Sequence, residues 1–167
     1  MQSHTIAVLV NDQPGVLTRV ANLFGQRGFN IESITVGATE EDVLSRMIIT
    51  TNGNDQEINQ LMKQLIKLID VISVTNLSQN PMVSRELALI KVNAVPNQLV
   101  ELNGIVEPFR ASIVDIGPAS LIVQVTGDSE KIDALVTLLT PYGITELTRT
   151  GSLAMARSIV AEPASVE

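Results

Sequence analysis

The residues with chemistry to offer gather in one stretch, Asn11-Asp12-Gln13-Pro14-Gly15-Val16-Leu17, with Asn30 a little further on. An apolar run from Ile6 to Val10 leads in and an amphipathic run from Val16 to Phe24 leads out. The stretch therefore reads as a tight strand-to-helix turn. Pro14 fits a helix's first turn, where its missing N–H has no intrahelical bond to lose. Gly15 lets the backbone come close to a ligand. Free amides and the positive end of the helix dipole at such a start suit a small carboxylate. Asp12 can meet an ammonium group beside it. Amide donors with one acidic side chain match the head group of an α-amino acid, and an ordinary capped turn fits the same residues.

Groups able to move protons or attack a substrate are scarce. His4 is the one histidine and reads as a solvated residue near the N-terminus. With no cysteine and no second histidine it can form neither a nucleophilic triad nor a zinc set. Glu40-Glu41-Asp42 reads as a wet hairpin tip, with a divalent-cation site as the alternative. Gly25-Gln26-Arg27-Gly28 lacks the Lys-Ser/Thr of a phosphate loop and the glycine spacing of a dinucleotide fingerprint. Arg27 and Arg46 either meet an anion or sit in solvent, and Asn30 either orients a ligand or caps a strand. The expectation is binding without turnover: no catalytic residue, no metal and no cofactor in this chain.

The elements that must position the turn follow from periodicity. The 167 residues are 45% hydrophobic but only 2% aromatic, so any core is aliphatic. A formal net charge of −7 with no basic run argues against nucleic acid and against an anionic membrane surface as partners. No apolar stretch approaches the roughly 18 residues of a membrane span, and the lack of a leader and of cysteine points to the cytoplasm. Strands are expected at Thr5–Val10, Asn30–Gly37, Leu44–Thr51 and Val71–Leu77. Helices are expected at Gly15–Gln26 and after Asn54, whose Glu57 completes a capping box. Ile58, Leu61, Met62, Leu65, Ile66 and Ile69 form the second helix's apolar stripe. Ser78-Gln79-Asn80-Pro81 reads as a linker.

The same order then recurs: a strand at Glu86–Asn93, a weaker helix from Asn97 to about Phe109, strands at Ile113–Gly117 and Leu121–Thr126, a helix capped by Asp128, and a last strand at Ile144–Thr150. After Gly151 no strand signal remains. Thr51-Asn52-Gly53-Asn54 with Ile58 is echoed by Thr126-Gly127-Asp128 with Ile132, and the glycines and isoleucines repeat at one interval. The fold class is α+β, with two ferredoxin-like βαββαβ units in tandem. Residues 1–77 form the first, 78–84 a linker, 85–157 the second, and 158–167 a disordered tail. In the first strand Ile6, Val8 and Val10 face the helices, while Ala7 and Leu9 face a side no helix covers. The edge strand also needs covering, and edge-to-edge homodimerisation would supply that.

Asp12-Gln13-Pro14-Gly15-Val16-Leu17, followed by Leu23-Phe24-Gly25-Gln26-Arg27-Gly28-Phe29-Asn30-Ile31-Glu32-Ser33-Ile34-Thr35-Val36, closely resembles the ACT domain of the small, regulatory subunits of acetolactate synthase (acetohydroxyacid synthase). Leu44-Ser45-Arg46-Met47, Phe109-Arg110 leading to Ile113-Val114-Asp115, and Arg149-Thr150-Gly151 extend the resemblance from about Thr5 to Arg157. It implies a chain that homodimerises through its ACT domains and activates a catalytic large subunit carrying thiamine diphosphate, magnesium and FAD. It also implies feedback inhibition by a branched-chain amino acid, valine first among them. The implied effector site is Asp12, Gly15, Val16 and Leu17 of one chain with Asn30 and Ile31 of the other. Asp12 stands where family members often carry Asn, and Pro14 where a more polar residue is usual. A rival reading is a free-standing amino-acid sensor or transcription coregulator built from paired ACT domains, but no helix-turn-helix or basic patch supports it.

Overall fold

Residues 2–158 are described in the structure, a computed structural model of the chain. The elements run β1 (Gln2–Asn11), α1 (Val16–Gln26), β2 (Ile31–Ala38), β3 (Leu44–Gly53), α2 (Asp55–Leu65), β4 (Val71–Asn76), β5 (Met82–Asn93), α3 (Leu99–Val106), β6 (Ser112–Ile116), β7 (Ser120–Gly127), α4 (Ser129–Leu139), β8 (Ile144–Arg149) and β9 (Leu153–Ala156). Two antiparallel sheets result, ordered β2-β3-β1-β4 and β6-β7-β5-β8. This is the α+β architecture of tandem ferredoxin-like units. The chain divides into two compact units. Of the described residues, one comprises 2–32, 36–83 and 154–158; the other comprises 33–35 and 84–153.

In the first unit the alternation of β1 decides the layers. Ile6, Val8 and Val10 are buried beneath the helices, whereas Ala7 and Leu9 are half-buried on the opposite face. Val16, Val20 and Phe24 recur at intervals of four and put one stripe of α1 into the same core. Ile58, Leu61 and Leu65 do so for α2. Asn54 starts α2 with the full capping box: the Glu57 N–H donates to its side chain at 2.9 Å, and Glu57 accepts from the Asn54 N–H at 3.2 Å. The helix-free face of this sheet is partly covered from within the unit, since Ile48, Leu77 and Ala154 cluster there with Ala7 and Met82.

The second unit repeats the plan. Ala88, Ile90 and Val92 of β5 and Leu121, Val123 and Val125 of β7 meet Leu102, Val106, Ile132, Leu135 and Leu139. Asp128 caps α4 by accepting from the Lys131 N–H at 2.9 Å. The repeat extends to irregularities: β1 slips register against β4 between Leu9 and Val10, and β5 slips against β8 between Lys91 and Val92. Arg149 of β8 is clamped by both oxygens of the buried Glu86, at 2.7 and 2.9 Å, and by Asp133 of α4 at 2.6 Å. These bonds hold its guanidinium charged, raising its pKa.

Several expectations are corrected. β1 starts at Gln2, not Thr5, and pairs with β3 as far as Gly53. His4 is therefore buried at 2% exposure and is not a solvated terminal residue. Ile69 is 89% exposed, because α2 ends at Leu65 and the turn that follows points it outward. The stretch read as a linker holds a 3-10 turn, Leu77–Gln79, and the first residues of β5. A short strand, β9, follows Gly151 and pairs with β5. The expected tail, from residue 159 on, lies outside the described residues. No helix among the described residues is long and apolar enough to cross a membrane.

Candidate functional site

The turn between β1 and α1 is pinned from both sides of the sheet. The Asn11 N–H donates to the Asp70 carbonyl at 2.8 Å, and the Asp12 N–H donates to the Val43 carbonyl at 2.8 Å. The helix starts at Val16, so Pro14 lies before it and not in its first turn. The reason is Gly15, which takes the N-cap position in a left-handed conformation with φ of 85°. That conformation favours a residue without Cβ, and it bends the chain sharply into the helix.

A glycine cap has no side-chain oxygen to offer. The first intrahelical bond runs from the Arg19 N–H to the Gly15 carbonyl at 3.0 Å, and Val16 N–H turns back to Gln13 at 3.3 Å. The amides of Leu17 and Thr18 precede that ladder, and no acidic residue stands in the first turn to meet them. They and the helix dipole form a donor site whose natural complement is a carboxylate. Val16 is buried at 4%, whereas Leu17 is 46% exposed, so Leu17 is the apolar side chain that a ligand can reach. Asp12 is exposed. Arg19 reaches back over the turn, its Nη1 being 3.2 Å from the position a Gly15 Cβ would take, and it is ion-paired with Asp70.

Asn30 and Ile31 stand elsewhere. The Asn30 carbonyl accepts from Thr51 Oγ1 at 2.6 Å, and Thr51 is paired with His4 near the beginning of β1. The Gly15 turn follows Asn11, which is paired with Leu44. The two groups are thus separated by the run of β3 from Leu44 to Thr51, about 23 Å of strand. A single chain does not bring them together. Asn30 instead lies on an open groove of about 880 Å³, at the far end of the sheet, where Arg27 and Lys63 supply positive charge and Phe29 and Leu61 apolar surface.

His4, the one imidazole, faces Asn76 Nδ2 at 3.3 Å through Nδ1, with Nε2 3.8 Å from the Asp55 carboxylate. Among the described residues neither ring nitrogen is hydrogen-bonded to a hydroxyl or thiol. Among the described residues no group of three or more His, Cys, Asp or Glu is placed to hold a metal. One partnership and one groove cation had no sequence signal. Arg19 lies on the exposed side of α1, and Asp70 lies in the turn before β4, 51 positions away. Lys63 falls on the polar side of α2, and nothing in its own position marks it.

Two family models match. "AHAS small subunit-like ACT domain" covers residues 6–73, and "Small subunit of acetolactate synthase" covers residues 85–158. A probable acetolactate synthase small subunit of Archaeoglobus fulgidus is 53% identical over 92% of this chain and 96% of its own length. The acetolactate synthase small subunit of Bacillus subtilis is 51% identical over 91% of this chain and 89% of its own. Among solved structures, the acetolactate synthase small subunit of Thermotoga maritima aligns with a TM-score of 0.87 at 42% identity, over 96% of this chain and all of that one.

Proposed function

This chain belongs to the acetolactate synthase small-subunit family, and from that premise we propose that it binds valine, or a related branched-chain amino acid, between two copies of itself and so sets the activity of a catalytic large subunit. The observation that carries the effector site is the separation just described. Amide donors behind Gly15 sit at one end of the sheet and Asn30 at the other, so only a second copy can complete the pocket.

The topology offers the means. β2 is an outer strand of its sheet. Two β2 edges paired antiparallel about a two-fold axis set the start of one β2 beside the end of the other. The end of β2 lies at the Gly15 end of the sheet, because Thr39 N–H donates to the Leu44 carbonyl at 3.3 Å and Leu44 faces Asn11. The partner's Asn30 and Ile31 therefore arrive beside Gly15.

In this pocket the ligand carboxylate takes the amides of Leu17 and Thr18. Its ammonium meets the Asp12 carboxylate or the side-chain oxygen of the partner's Asn30. Leu17 and the partner's Ile31 enclose the aliphatic side chain. One methylene in such a pocket is worth about 1–3 kcal/mol, which sets the scale of discrimination among valine, leucine and isoleucine. A ligand that bridges two chains favours the arrangement in which both halves reach it. Inhibition then follows if the large subunit is less active with that arrangement. Thiamine diphosphate, magnesium and FAD belong, on this reading, to the large subunit, and this chain contributes no reacting group.

The test is reconstitution with a large subunit and assay of acetolactate formation with and without valine. The chain is expected to raise the activity, and valine to lower it. Gly15→Asp, which puts a carboxylate where the ligand's belongs, and Asn30→Ala are expected to abolish the inhibition while keeping the activation. Full valine sensitivity in both variants overturns the site. No activation overturns the partnership.

A further inference from the structure

We propose that the groove carrying Arg27 and Lys63 receives the acidic hairpin Glu40-Glu41-Asp42 of a second copy of the chain, forming two symmetric charged contacts that flank the paired β2 strands. The inference rests on the edge-paired dimer proposed above and adds the contact that sets its register.

Three observations lead to it. The first is an imbalance of satisfied charge inside the groove. Its two carboxylates keep their charge but are each held by a neutral amide: Glu32 accepts from the Asn52 side chain, and Glu57 closes the α2 capping box with the Asn54 N–H at 3.2 Å. Its two cations are not. Arg27 and Lys63 line the groove, both are exposed, and neither has a carboxylate within salt-bridge reach among the described residues. The chain has 11 basic residues against 18 acidic ones, so two unpaired cations lining one groove have a surplus of carboxylates to meet.

The second observation is a matching surplus of negative charge. Glu40, Glu41 and Asp42 form the exposed tip between β2 and β3. Backbone bonds fix that tip: Leu44 N–H donates to the Glu41 carbonyl at 3.0 Å, and Thr39 Oγ1 donates to the same carbonyl at 3.1 Å. The three side chains have no cationic partner among the described residues. Three like charges on a short rigid loop repel each other and gain from a basic partner.

The third is position. The groove includes Asn30, just before β2 starts, and the hairpin begins just after β2 ends. Antiparallel pairing of two β2 strands therefore sets each groove beside the other copy's hairpin. A two-fold axis makes the contact twice, as an isologous interface requires. Two chains of net charge −7 repel as whole bodies, and local pairs of opposite sign offset that repulsion where the chains meet.

Charge reversal tests the contact on the full-length chain. Arg27→Glu with Lys63→Glu makes groove and hairpin both negative. Glu40→Lys with Glu41→Lys and Asp42→Lys sets a positive hairpin against Arg27 and Lys63. At low salt each variant alone is expected to dimerise at least tenfold more weakly than wild type in sedimentation equilibrium. Their equimolar mixture is expected to form heterodimers, because Arg27 and Lys63 then face the acidic hairpin and the reversed groove faces the positive one. That rescue also shows both variants to be folded. A gentler pair, Arg27→Gln with Lys63→Gln, keeps the question open to measurement should the reversals unfold: wild-type dimerisation is expected to weaken with added salt, and that of the Gln variant to respond less. Dimers of wild-type strength in both reversed variants, or equal salt responses in the gentle pair and wild type, overturn the contact and leave the dimeric receptor standing. A wild-type chain that stays monomeric at 100 µM, on the order of the weakest dimers worth considering, overturns both.

Discussion

Arg19, in the first turn of α1, is ion-paired with Asp70, which precedes β4 and is also the residue whose carbonyl pins the end of β1. The pair spans the turn that offers its amides to a carboxylate, so it sets the potential there. Arg19 is 45% exposed, and screening keeps the contribution to stability small, at most about 1 kcal/mol. Its effect on a bound anion is the more telling quantity. Asp70→Asn removes the charge that neutralises Arg19. The concentration of valine giving half-inhibition of the reconstituted enzyme is expected to fall about two- to fivefold, the range of helix-end charge effects. Arg19→Ala should raise it by a similar factor. Movement of both variants in one direction would show that the pair only braces the fold.

Gly15 and Gly25 lie at opposite ends of α1 and should respond oppositely to a methyl group. At Gly15 a Cβ forces a side chain into the left-handed region and meets the end of Arg19 at 3.2 Å, a neighbour that can swing aside. The backbone strain remains, so Gly15→Ala should cost about 1 kcal/mol. At Gly25 a Cβ meets nothing within 4 Å and the backbone is helical. Gly25→Ala should add about 0.5–1 kcal/mol. Thermal denaturation of the two variants beside wild type is expected to move the midpoint down for the first and up for the second, each by a few degrees.

How far the sequence foretold the fold depends on whether the signal was local. The α2 stripe at Ile58, Leu61 and Leu65 and the capping box at Asn54 and Glu57 are written within a few residues of one another, and they stand as read. Ile69 extends the same arithmetic one turn too far, because nothing in its own type reveals that the helix stops at Leu65. β9 escaped because Leu-Ala-Met-Ala is short and two of its four side chains are alanine; its strand character comes from pairing with β5. At the turn, a helix start near Gly15 was legible, while its left-handed cap and the exclusion of Pro14 from the helix needed φ. The Arg19–Asp70 pair spans 51 positions between polar residues, a kind of contact that leaves no periodic trace.

His4 is the chain's single histidine, and its contact with Asn76 assigns the tautomer of the neutral ring. Asn76 Oδ1 accepts from the Ser78 N–H at 3.1 Å, so the Asn76 amide nitrogen is the atom facing His4 Nδ1 at 3.3 Å. An amide nitrogen only donates, hence Nδ1 accepts and the proton of the neutral ring sits on Nε2. Nε2 is buried without a hydrogen-bond partner, and the nearest carboxylate oxygen, on Asp55, is 3.8 Å away. Nitrogen-15 NMR of the neutral imidazole should give one residue's signals in the Nε2–H pattern. Asn76→Asp, which replaces the donor with an acceptor, should shift the population toward Nδ1–H. An Nδ1–H ring in the wild type would reverse the assignment of Asn76 and break its bond to Ser78.

Tyr142 is the only tyrosine, which makes its ionisation directly visible in absorbance. Its hydroxyl donates to the Glu101 carboxylate at 2.5 Å, joining the 3-10 turn after α4 to the first turn of α3. Ionising the phenol removes that donated bond and sets a second negative charge beside the first. The pKa of Tyr142 is accordingly raised above 10, chiefly by the hydrogen bond, with smaller contributions from desolvation and from the charge of Glu101. The sign for stability follows. The folded state holds the proton more tightly than the unfolded one, so the contribution is fully present below the unfolded pKa near 10 and is lost as pH rises through the raised value. A spectrophotometric titration at the tyrosinate band should give a midpoint above 10 for the native chain. Glu101→Gln keeps a hydrogen-bond acceptor but removes the charge, and its midpoint should fall back toward the ordinary value. Glu101→Ala, which removes both, should fall at least as far. A wild-type midpoint at the ordinary value would mean that the Tyr142–Glu101 bond does not persist in solution and that the end of α4 is not tied to α3 through it.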